Sequence, residues 1–596
     1  MLGSKLDPIT LPSTSPSTNP LVLRQNNADP EAKWIVQKYG GTSVGKFAVN
    51  IARDIVPSYI GQHKIAVVCS ARSGSAKALG TTNLLLKAAS EAQRQRHKLF
   101  NDCGTTTPSL NGIFRRSSET SPTTPMRRSS RSPSSPSTGA LTPLMTPQTG
   151  QSQPEFNVTV DLIRSEHMDA AKTSIQNPEI LQELEAEIDR DCDWLRSFLF
   201  AAQVINEISP RSRDSIIGFG ERLGCKLMTA ILRDQGIDAE YVSLEDIIPV
   251  SEDSDTVREG ILDQAFYDNV ATAVGERIKG CTPRVPVVTG FFGHVPGSLL
   301  RQVGRGYTDL LSALLAVGLE ASELQIWKEV DGIFTADPRK VPTARLIPII
   351  SPDEAAELTY YGSEVVHPFT MEQVIRRKIP IRIKNVENPL GGGTVIHPDP
   401  DIEAQDDDLY EVPVTVPQGL SLSNDELYRN KRLPTAVTIK ERIVVLNVNS
   451  NRKSVSHGFL ARIFGTLDRF GVVVDLISTS EVHVSMAIED NLSKTTIERL
   501  VGELKKSGTV SVHREMTILS LVGQHMRNLV GISGRMFTSL GQGNVNIEMI
   551  SQGASEINIS CVIESRDAVK ALNLIHQSCL QIKPEGPKGR VGPWFF

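Results

Sequence analysis

The sequence predicts an α/β protein whose mainly parallel β-sheet lies between layers of helices and is followed by two smaller βαββ units. The first observation is that short apolar runs, several of them apolar throughout, alternate with helical patterns from about residue 33 to 398. Such runs are typical of parallel strands buried on both faces. The second is that one pattern of strand, helix, strand and strand occurs twice after residue 431, which indicates an internal repeat. The 596 residues also exceed what one hydrophobic core usually accommodates.

The composition excludes several classes of protein. The chain is 39% hydrophobic and 22% charged, and its net charge of −5 is neither a nucleic-acid footprint nor a polybasic membrane patch. Its seven cysteines lie far apart without a C-x-x-C pair, which argues against a zinc ribbon or a disulfide framework. No apolar run approaches the roughly 20 residues that a membrane helix needs, and the N-terminus shows no targeting pattern. We therefore expect a cytoplasmic protein with no nucleic-acid or membrane partner.

Two tracts rich in Ser, Thr and Pro mark the limits of the ordered parts. They contain too few core-forming residues to offset the entropy of ordering, so we expect them to be disordered. Serines in the second tract resemble basic-directed phosphorylation sites, but a tolerated solvated insertion is the simpler interpretation. The expected division is a tail at 1–32, a first domain at 33–398 with an insertion at about 104–154, an acidic linker at 399–430, repeat units at 431–515 and 516–585, and a tail at 586–596.

The first strand runs into the glycine-rich segment WIVQKYGGTSVGKF. Its Lys38 precedes Gly40 and Gly41, whereas the lysine of a Walker loop follows the glycines. Backbone N–H groups in such a turn can approach an anion closely, with the ammonium beside them. A glycine turn after a strand is more often a structural feature than a ligand site, so this motif alone is weak. The strand candidates of this domain are WIVQKYG, KIAVVCSA, VPVVTGFFG, LQIWKEV and IRIKN.

Polar residues follow the second strand and begin a long helix. Ser70 comes just after KIAVVC, at the carboxyl edge where α/β sheets bind ligands, and Thr82 begins the next helix. Both could equally be turn formers. In the segment DSIIGFGERLG, Asp214 and Ser215 are candidate caps, which places Glu221 in the first turn of an otherwise apolar helix. Glu221 is then either a solvated surface acid or a carboxylate aimed at a substrate ammonium.

Two later segments carry charges suited to a nucleotide. In GRGYTDLLSALLA, Arg305 and Asp309 lie at the start of a helix, whose free N–H groups can bind phosphate. A carboxylate there is useful if a cation, such as a lysine or magnesium, is held as well. In KEVDGIFTADPRKV, Phe334 could lie against a base and Arg339 could reach a phosphate.

Six segments in this order resemble aspartate kinases of the amino-acid kinase superfamily. They are KYGGTSVG, VVCSARSG with TTNLL, GERLG, GRGYTDLLSALLA, VDGIFTADPR and ELTYYGSEVVHP. The two C-terminal units resemble ACT domains, so that the resemblance covers residues 33 to about 98, 156–398 and 431–585. The chain resembles the fungal monofunctional type in three features. These are the Ser/Pro insertion, the sequence SEVVHP and the absence of a dehydrogenase module.

The resemblance implies that ATP phosphorylates the β-carboxylate of L-aspartate, giving 4-phospho-L-aspartate, the first step toward threonine and methionine. A carboxylate is already a nucleophile, so catalysis would come from positioning and charge neutralisation, with Mg²⁺ held mainly by phosphate oxygens and no metal ligands from the protein. The resemblance assigns aspartate to Ser70, Thr82, Glu221 and Arg305, the nucleotide to Lys38, Gly40, Gly41, Phe334 and Arg339, and the orientation of Lys38 to Asp309.

Two departures from the family pattern are present. Many relatives have a lysine that reaches the nucleotide phosphates at the position of Glu364, so we assign Glu364 no phosphate role. Lys384 is a candidate replacement, although a structural lysine at a strand end is the better interpretation. Lys328 and Glu329 stand where many relatives have a threonine and an aspartate, which leaves the base contacts there open.

The resemblance to ACT domains implies control by an amino acid bound where such units pair, and a homo-oligomer formed through them. Gly458 would let the first helix of the repeat start close to a ligand. Threonine is the expected effector and lysine the alternative. The candidate effector residues are Asp475, Ser478 and Thr479 in the first unit, and Asn544, Asn546 and Ile547 in the second.

Two other functions were weighed. A glutamate or uridylate kinase would lack the tandem ACT units and the GERLG and GRGYTD pair. An amino-acid sensor with an inactive kinase half is a different class of protein, and the presence of Lys38, Glu221, Arg305 and Asp309 argues against it.

Overall fold

The structure is a computed structural model that describes most of the chain. It covers 23–74, 80–102, 154–248, 262–295, 297–363, 366–398, 433–450, 458–524, 526, 529–553 and 557–582, with the backbone alone for 94–102 and 305. Most of the predicted insertion, the acidic linker, the final tail and Glu364 lie outside these residues.

The predicted N-terminal tail is too long. Residues 23–32 pack on the first domain, since Asn26 is buried and its side chain accepts a hydrogen bond from the Ile65 N–H (2.8 Å). The Asn26 amide also donates to the carbonyl oxygens of Ile65 (3.0 Å) and Arg284 (3.1 Å). The low hydrophobicity of this segment concealed the anchor, which is a polar side chain.

The first domain contains the predicted mainly parallel sheet. Its eight strands have the order β3-β4-β2-β1-β5-β7-β8-β6, and only the β7–β8 pair is antiparallel within it. All five predicted strands are present, while the short β3 and β6 were not predicted. The strands are β1 Trp34–Tyr39, β2 Lys64–Cys69, β3 Ala239–Val242, β4 Val285–Thr289, β5 Glu323–Lys328, β6 Ile349–Ile350, β7 Ile381–Asn385 and β8 Thr394–Ile396.

Helices cover both faces of this sheet. Ile35 and Val67 project into a core formed with the helices that precede β3, and Val36 and Val68 into a core formed with those that follow it. This period-two alternation is what a strand buried on both faces requires. The helices are α1 Gly41–Lys46, α2 Ala48–Asn50, a π-helical turn Ile51–Ile55, α3 Val56–Ile60, α4 Thr81–Asp102, α5 Glu155–Ser174, α6 Pro178–Ile205, α7 Pro210–Asp234, α8 Gln264–Lys279, α9 Leu299–Gln302, a 3₁₀ turn Gly304–Gly306, α10 Tyr307–Gly318, α11 Pro352–Tyr360 and α12 Pro368–Ile375.

Helix α7 begins earlier than predicted. Ser209 is its N-cap, accepting from the Ser212 N–H, and Pro210 takes the first position, where its missing N–H costs nothing. Asp214 and Ser215, the predicted caps, therefore lie inside the helix. The end is close to the prediction, since Gly236, with φ of 79°, follows α7 directly.

The C-terminal part is one six-stranded sheet with the order β10-β11-β9-β12-β14-β13. Its long strands β9 and β12 run antiparallel to each other and serve both repeat units. Each unit also carries a second helix beyond the predicted βαββ pattern. The elements are β9 Ala436–Ser450, α13 Phe459–Arg469, β10 Leu476–Thr479, β11 His483–Glu489, α14 Lys494–Leu504, β12 Gly508–Val522, α15 Ile532–Gln542, β13 Met549–Gln552, β14 Asn558–Glu564, a 3₁₀ turn Ser565–Asp567 and α16 Ala568–Cys579.

The boundary between the two units differs from the expected one. The first half of β9, up to about Lys440, pairs with the second half of β12, which also pairs with β14 of the second unit. The second half of β9 pairs with β11 of the first unit. Arg442 and Glu515, with φ of 59° and 58°, mark the irregularity between the halves. The first unit is thus inserted into the second one.

The two parts of the chain share hydrophobic cores. Ala436 and Val522 pack in a core of the first domain, and Ala336 and Val341 of the first domain pack with the helices of the second repeat unit. No helix in the described ranges is long and apolar enough to cross a membrane.

Candidate active site

A cavity of about 840 Å³ opens at the carboxyl edge of the parallel sheet. This is the edge at which α/β sheets bind ligands. Its walls come from the turn after β1, the loop after β2, the start of α4, the middle of α7 and the start of α10. Residues in these walls include Gly41, Thr42, Ser70, Arg72, Thr82, Glu221, Arg301 and Thr308.

Lys38 and Asp309 form an ion pair beside this cavity. Lys38 lies near the end of β1 and Asp309 in the first turn of α10, and Lys38 Nζ is 2.6 Å from Asp309 Oδ1. Their side chains are only 11% and 26% exposed, so the ammonium is held in one position. The contact fits the predicted orientation of Lys38 by Asp309, whose catalytic role stays a prediction.

The glycines after Lys38 allow two loops to meet. A Cβ added at Gly41 would lie 2.3 Å from the Ala71 carbonyl oxygen, and one added at Gly45 would lie 1.9 Å from that of Ser73. A Cβ at Gly40 would meet nothing within 4 Å. Helix α1, whose N-cap is Gly40, therefore packs directly against the loop after β2, while Gly40 faces open space. We call the segment from Gly40 to Gly45 the glycine turn.

Glu221 is a buried carboxyl in the cavity wall. It lies in the middle of α7, only 2% exposed, so the alternative of a solvated acid in a first turn is wrong. Its Oε1 accepts from the Thr308 hydroxyl (2.5 Å) and its Oε2 from the Phe291 N–H (2.9 Å). Burial raises the pKa of Glu221 to about 7, although these hydrogen bonds oppose the shift. The missed residue here is Thr308, which stands in the segment GRGYTDLLSALLA at the start of α10.

Ser70 and Thr82 both line the cavity, from neighbouring loops. The Ser70 N–H donates to the Tyr39 carbonyl (3.1 Å), which fixes Ser70 at the edge of the sheet. Arg72 lies between them in the wall and was missed, although it stands in the quoted segment VVCSARSG. Of Arg305 the structure gives the backbone, in the turn that leads into α10.

A further residue whose role was missed, Asp214, supports that turn. Asp214 is buried and accepts from the Ser298 hydroxyl (2.8 Å) and the Leu299 N–H (2.7 Å), so it holds the start of α9. Helix α9 leads directly into the turn that carries Arg305. The sequence shows Asp214 as an acid on an otherwise apolar helix, but its partner Leu299 lies 85 residues further along the chain.

The predicted nucleotide segment lies outside the cavity wall. Phe334 is half-buried and bridges to Leu346, and the exposed Arg339 pairs through Nε and Nη2 with both oxygens of Asp337, at 3.0 Å each. One contact links this segment to the glycine turn, since the Ser43 hydroxyl donates to Glu329 Oε1 (2.8 Å). The structure thus connects the two predicted nucleotide-binding segments through Glu329.

Lys384 is buried beside Tyr59 and Trp327 and is not among the residues that line the cavity. Its Nζ lies 3.1 Å from the Tyr59 hydroxyl and 5.2 Å from the centre of the Trp327 ring. Burial, with help from Arg382, lowers the pKa of Lys384. These contacts favour the structural interpretation of this lysine. In the ranges that the structure covers, no group of three or more His, Cys, Asp or Glu residues could hold a metal ion.

The candidate effector residues lie just before or within β10 in the first unit and shortly before β13 in the second. Asp475 Oδ1 accepts from Lys440 Nζ (2.6 Å), which links the two repeat units. Ser478 and Thr479 are exposed on the edge strand β10. In the second unit, Asn544 has a φ of 53°, Asn546 donates to Glu548 Oε1 (2.7 Å) and Ile547 packs against the core.

The helices α13 and α15 begin in the same way. Each follows a glycine in the left-handed region, Gly458 with φ of 74° and Gly531 with φ of 86°. This shared start confirms the internal repeat, since only glycine adopts such a conformation without strain.

The fold and the cavity define the class of protein. Residues 33–385 match the amino acid kinase family and residues 519–579 match an ACT domain. The chain therefore belongs to the amino acid kinase family.

The relatives narrow this class to one enzyme. The chain is 48% identical to the aspartokinase of Schizosaccharomyces pombe, over 93% of this chain and 94% of that protein. It is 46% identical to the aspartokinase of Candida albicans, over 92% and 90% of the two chains. Within the family it is an aspartokinase, that is, an aspartate kinase.

Solved structures agree with this assignment. The crystal structure of E. coli aspartokinase III with aspartate and ADP matches at 25% identity and a TM-score of 0.61, over 92% of this chain and 99% of that one. The same enzyme with lysine and aspartate matches at 25% identity and a TM-score of 0.61, over 91% and 99%.

Proposed function

We propose that this aspartate kinase carries out its reaction in the cavity at the edge of the parallel sheet. The supporting observation is that the Lys38–Asp309 ion pair and the buried Glu221 lie on neighbouring elements around one cavity. A cation suits the transferring phosphoryl group and an anion suits the substrate ammonium. Glu221 thus offers a negative charge in the cavity wall, and Lys38 offers a positive charge beside the cavity.

The proposed step needs no general base. A β-carboxylate oxygen of aspartate attacks the γ-phosphorus of ATP, the bond from that phosphorus to the β–γ bridging oxygen breaks, and ADP leaves. Lys38 neutralises the charge on the transferring group, while Asp309 fixes the direction of its ammonium. Mg²⁺ would be held mainly by phosphate oxygens, where it neutralises further negative charge.

Glu221 and Ser70 take the binding roles in this proposal. Glu221 receives the aspartate ammonium, and Ser70, Thr82 and Arg305 hold its carboxylates. Phe334 and Arg339 are kept as nucleotide-binding residues, because Glu329 ties their segment to the glycine turn.

The proposal includes feedback control by an amino acid at the ACT units, with threonine as the effector. The exposed edge strand β10 carries Ser478 and Thr479, and an exposed edge is open to pairing with a second copy of the chain. Lysine stays the alternative, since it is present in a structure of E. coli aspartokinase III. Such a regulated step would lead toward threonine and methionine. It would take place in the cytoplasm, where the buried, unpaired cysteines of the described residues would stay reduced.

A coupled ADP-release assay tests these points together. We expect turnover with L-aspartate and ATP, none with L-glutamate or UMP, and inhibition by threonine at concentrations at which lysine has no effect. Turnover that is insensitive to both amino acids would contradict the control, and inhibition by lysine alone would contradict the effector.

A further inference from the structure

Arg72 lies in the cavity wall on a tightly fixed loop. The packing of the Ala71 and Ser73 carbonyls against Gly41 and Gly45 leaves this loop no room to shift. On the other side, the Arg72 carbonyl accepts from the Thr81 N–H at the start of α4 (3.1 Å). Arg72 is therefore placed between the glycine turn and the helix that carries Thr82.

The charge of Arg72 is only partly compensated. Its side chain is 14% exposed, and among the described residues its guanidinium has one partner, with Nη1 at 3.3 Å from Glu166 Oε2. Its Nε is buried without a partner in the same part of the chain. A guanidinium has five N–H donors, and a largely buried charge is costly unless it is paired and hydrogen-bonded. Within the described residues, the guanidinium of Arg72 thus has donors that lack acceptors.

Helix α5 holds Arg72 without neutralising it further. His167, next to Glu166, is fully buried, and its Nδ1 lies 2.8 Å from the Ile163 carbonyl oxygen. Since a carbonyl only accepts, Nδ1 carries the hydrogen. Burial lowers the pKa of His167 to about 4, and the positive charge of Arg72 adds to this effect. The imidazole is neutral, so it adds no second charge beside Arg72 at neutral pH.

We propose that Arg72 is a further substrate-binding residue whose guanidinium binds a carboxylate of L-aspartate, with Glu166 as its positioning residue. The planar fork of a guanidinium matches a carboxylate. Arg72 shares its stretch of wall with Ser70 and Thr82, and Glu221 supplies the opposite charge in the same cavity. This combination suits an amino acid better than a phosphate. The inference rests on the proposal that this cavity is the aspartate site.

Steady-state kinetics of four variants test the role of Arg72. We expect Arg72→Gln to raise the KM for aspartate about tenfold to a hundredfold, the value of a hydrogen bond to a charged group, with the KM for ATP within about twofold. Arg72→Lys should lie in between, because it keeps the charge but loses the fork. Glu166→Gln should raise the KM for aspartate with little change in kcat. Glu166→Asp keeps the carboxylate, so its KM for aspartate should rise less.

Arg164→Gln is the matched control. Arg164 lies on the same helix as Glu166 and pairs with Asp189, away from the cavity wall. Its loss also removes an arginine ion pair, so a general weakening of α5 would raise the KM for aspartate in this variant too. That result would overturn the specific role of Arg72. For a variant of low activity, thermal melting shows whether the protein is folded, and calorimetric titration measures its affinity for aspartate directly.

Ser70→Ala separates this inference from the assignment of the cavity. If Ser70→Ala raises the KM for aspartate and Arg72→Gln does not, the inference about Arg72 is wrong, but the assignment of the cavity as the aspartate site remains valid. If neither variant changes it, the cavity is not the aspartate site and both proposals are overturned. An effect of Arg72→Gln on the KM for ATP alone would place Arg72 on the nucleotide.

Discussion

At the scale of single residues, Glu221 has the surroundings that restrict the chemistry most. A buried carboxyl pays for its lost hydration unless it is hydrogen-bonded or meets a cation. Thr308 and Phe291 supply two hydrogen bonds, yet the pKa of Glu221 is still raised to about 7. An ammonium bound nearby would favour the ionised carboxylate, so binding of aspartate and ionisation of Glu221 should be coupled.

This coupling predicts a pH dependence of aspartate binding. Because the pKa of Glu221 in the empty site is raised to about 7, the carboxyl is increasingly protonated below that pH and loses its attraction for the ammonium. The KM for aspartate should therefore rise toward tenfold per pH unit below about 7, while the substrate's own groups do not titrate between about pH 6 and 8. Steady-state kinetics over this range, with the KM for ATP as reference, measures the effect.

Glu221→Gln is the matched variant for the pH profile. It removes the ionisation, so its KM for aspartate should be high and flat with pH. A wild-type KM for aspartate that does not change between about pH 6 and 8 would show that Glu221 does not receive the ammonium.

The Lys38–Asp309 pair leads to a second prediction. Lys38→Ala should lower kcat by about two to three orders of magnitude, since it removes a cation from the developing charge. Asp309→Asn should lower kcat less, because the ammonium stays but is no longer fixed. Lys46→Ala, at an exposed lysine of the same segment, should leave kcat unchanged. Rapid-mix measurements of ADP release give the kcat of each variant, and circular dichroism shows that each variant is folded. Equal turnover of Lys38→Ala and wild type would disprove the role of Lys38.

At the scale of the elements, the strands were predictable because each carries its own signal. The five apolar runs become β1, β2, β4, β5 and β7, where burial on both faces selects such sequences. The division of β9 between two units was not predictable, because residues 436–450 form one continuous run and pairing partners are set at long range. The positive φ of Arg442 and Glu515 also has no local signal, since neither is glycine.

The contact between the two loops at the site predicts the effect of one methyl group. Gly45→Ala would place a Cβ 1.9 Å from the Ser73 carbonyl oxygen, so the loop that carries Ser70 and Arg72 must move. We expect a loss of about 1–3 kcal/mol of stability and a higher KM for aspartate. Gly61→Ala is the control, since its Cβ meets nothing within 4 Å and its φ is −67°. Thermal melting and kinetics measure both, and identical behaviour of the two variants would contradict the packing argument.

At the scale of the whole molecule, the C-terminal sheet and its helices contact the first domain at several places, two of which involve Glu354 and Thr335. At the first, Glu354 of α11 is buried and accepts from the Thr435 hydroxyl (2.5 Å) and the Gln524 N–H (2.7 Å). At the second, the Thr335 hydroxyl lies 2.9 Å from His576 Nε2 of α16. Thr335 follows Phe334 directly, so the second contact lies on the predicted nucleotide-binding segment.

These contacts mark the limit of prediction from the sequence. Glu354 and Gln524 are separated by 170 positions, and each has an unremarkable local setting. The Ser351-P-D-E segment predicts only a capping box, which the structure contains. The second role of Glu354 depends on how the two parts of the chain pack, and no local pattern encodes that. Arg72 and Asp214 were missed for the same reason.

The last prediction concerns the coupling of effector and active site. In Glu354→Gln, a buried carboxylate that accepts hydrogen bonds from three segments becomes an amide. The N–H₂ group of that amide must then face other donors, which costs about 1–3 kcal/mol at this junction. If inhibition is transmitted there, threonine should still bind, as measured by calorimetry, but should lower aspartate affinity much less than in wild type. By reciprocity, saturating aspartate should then also weaken threonine binding less. Glu372→Gln, at an exposed glutamate of α12, should leave both couplings unchanged. Unaltered inhibition of Glu354→Gln, with threonine bound, would exclude the Glu354 junction and leave the Thr335–His576 contact as the route to test.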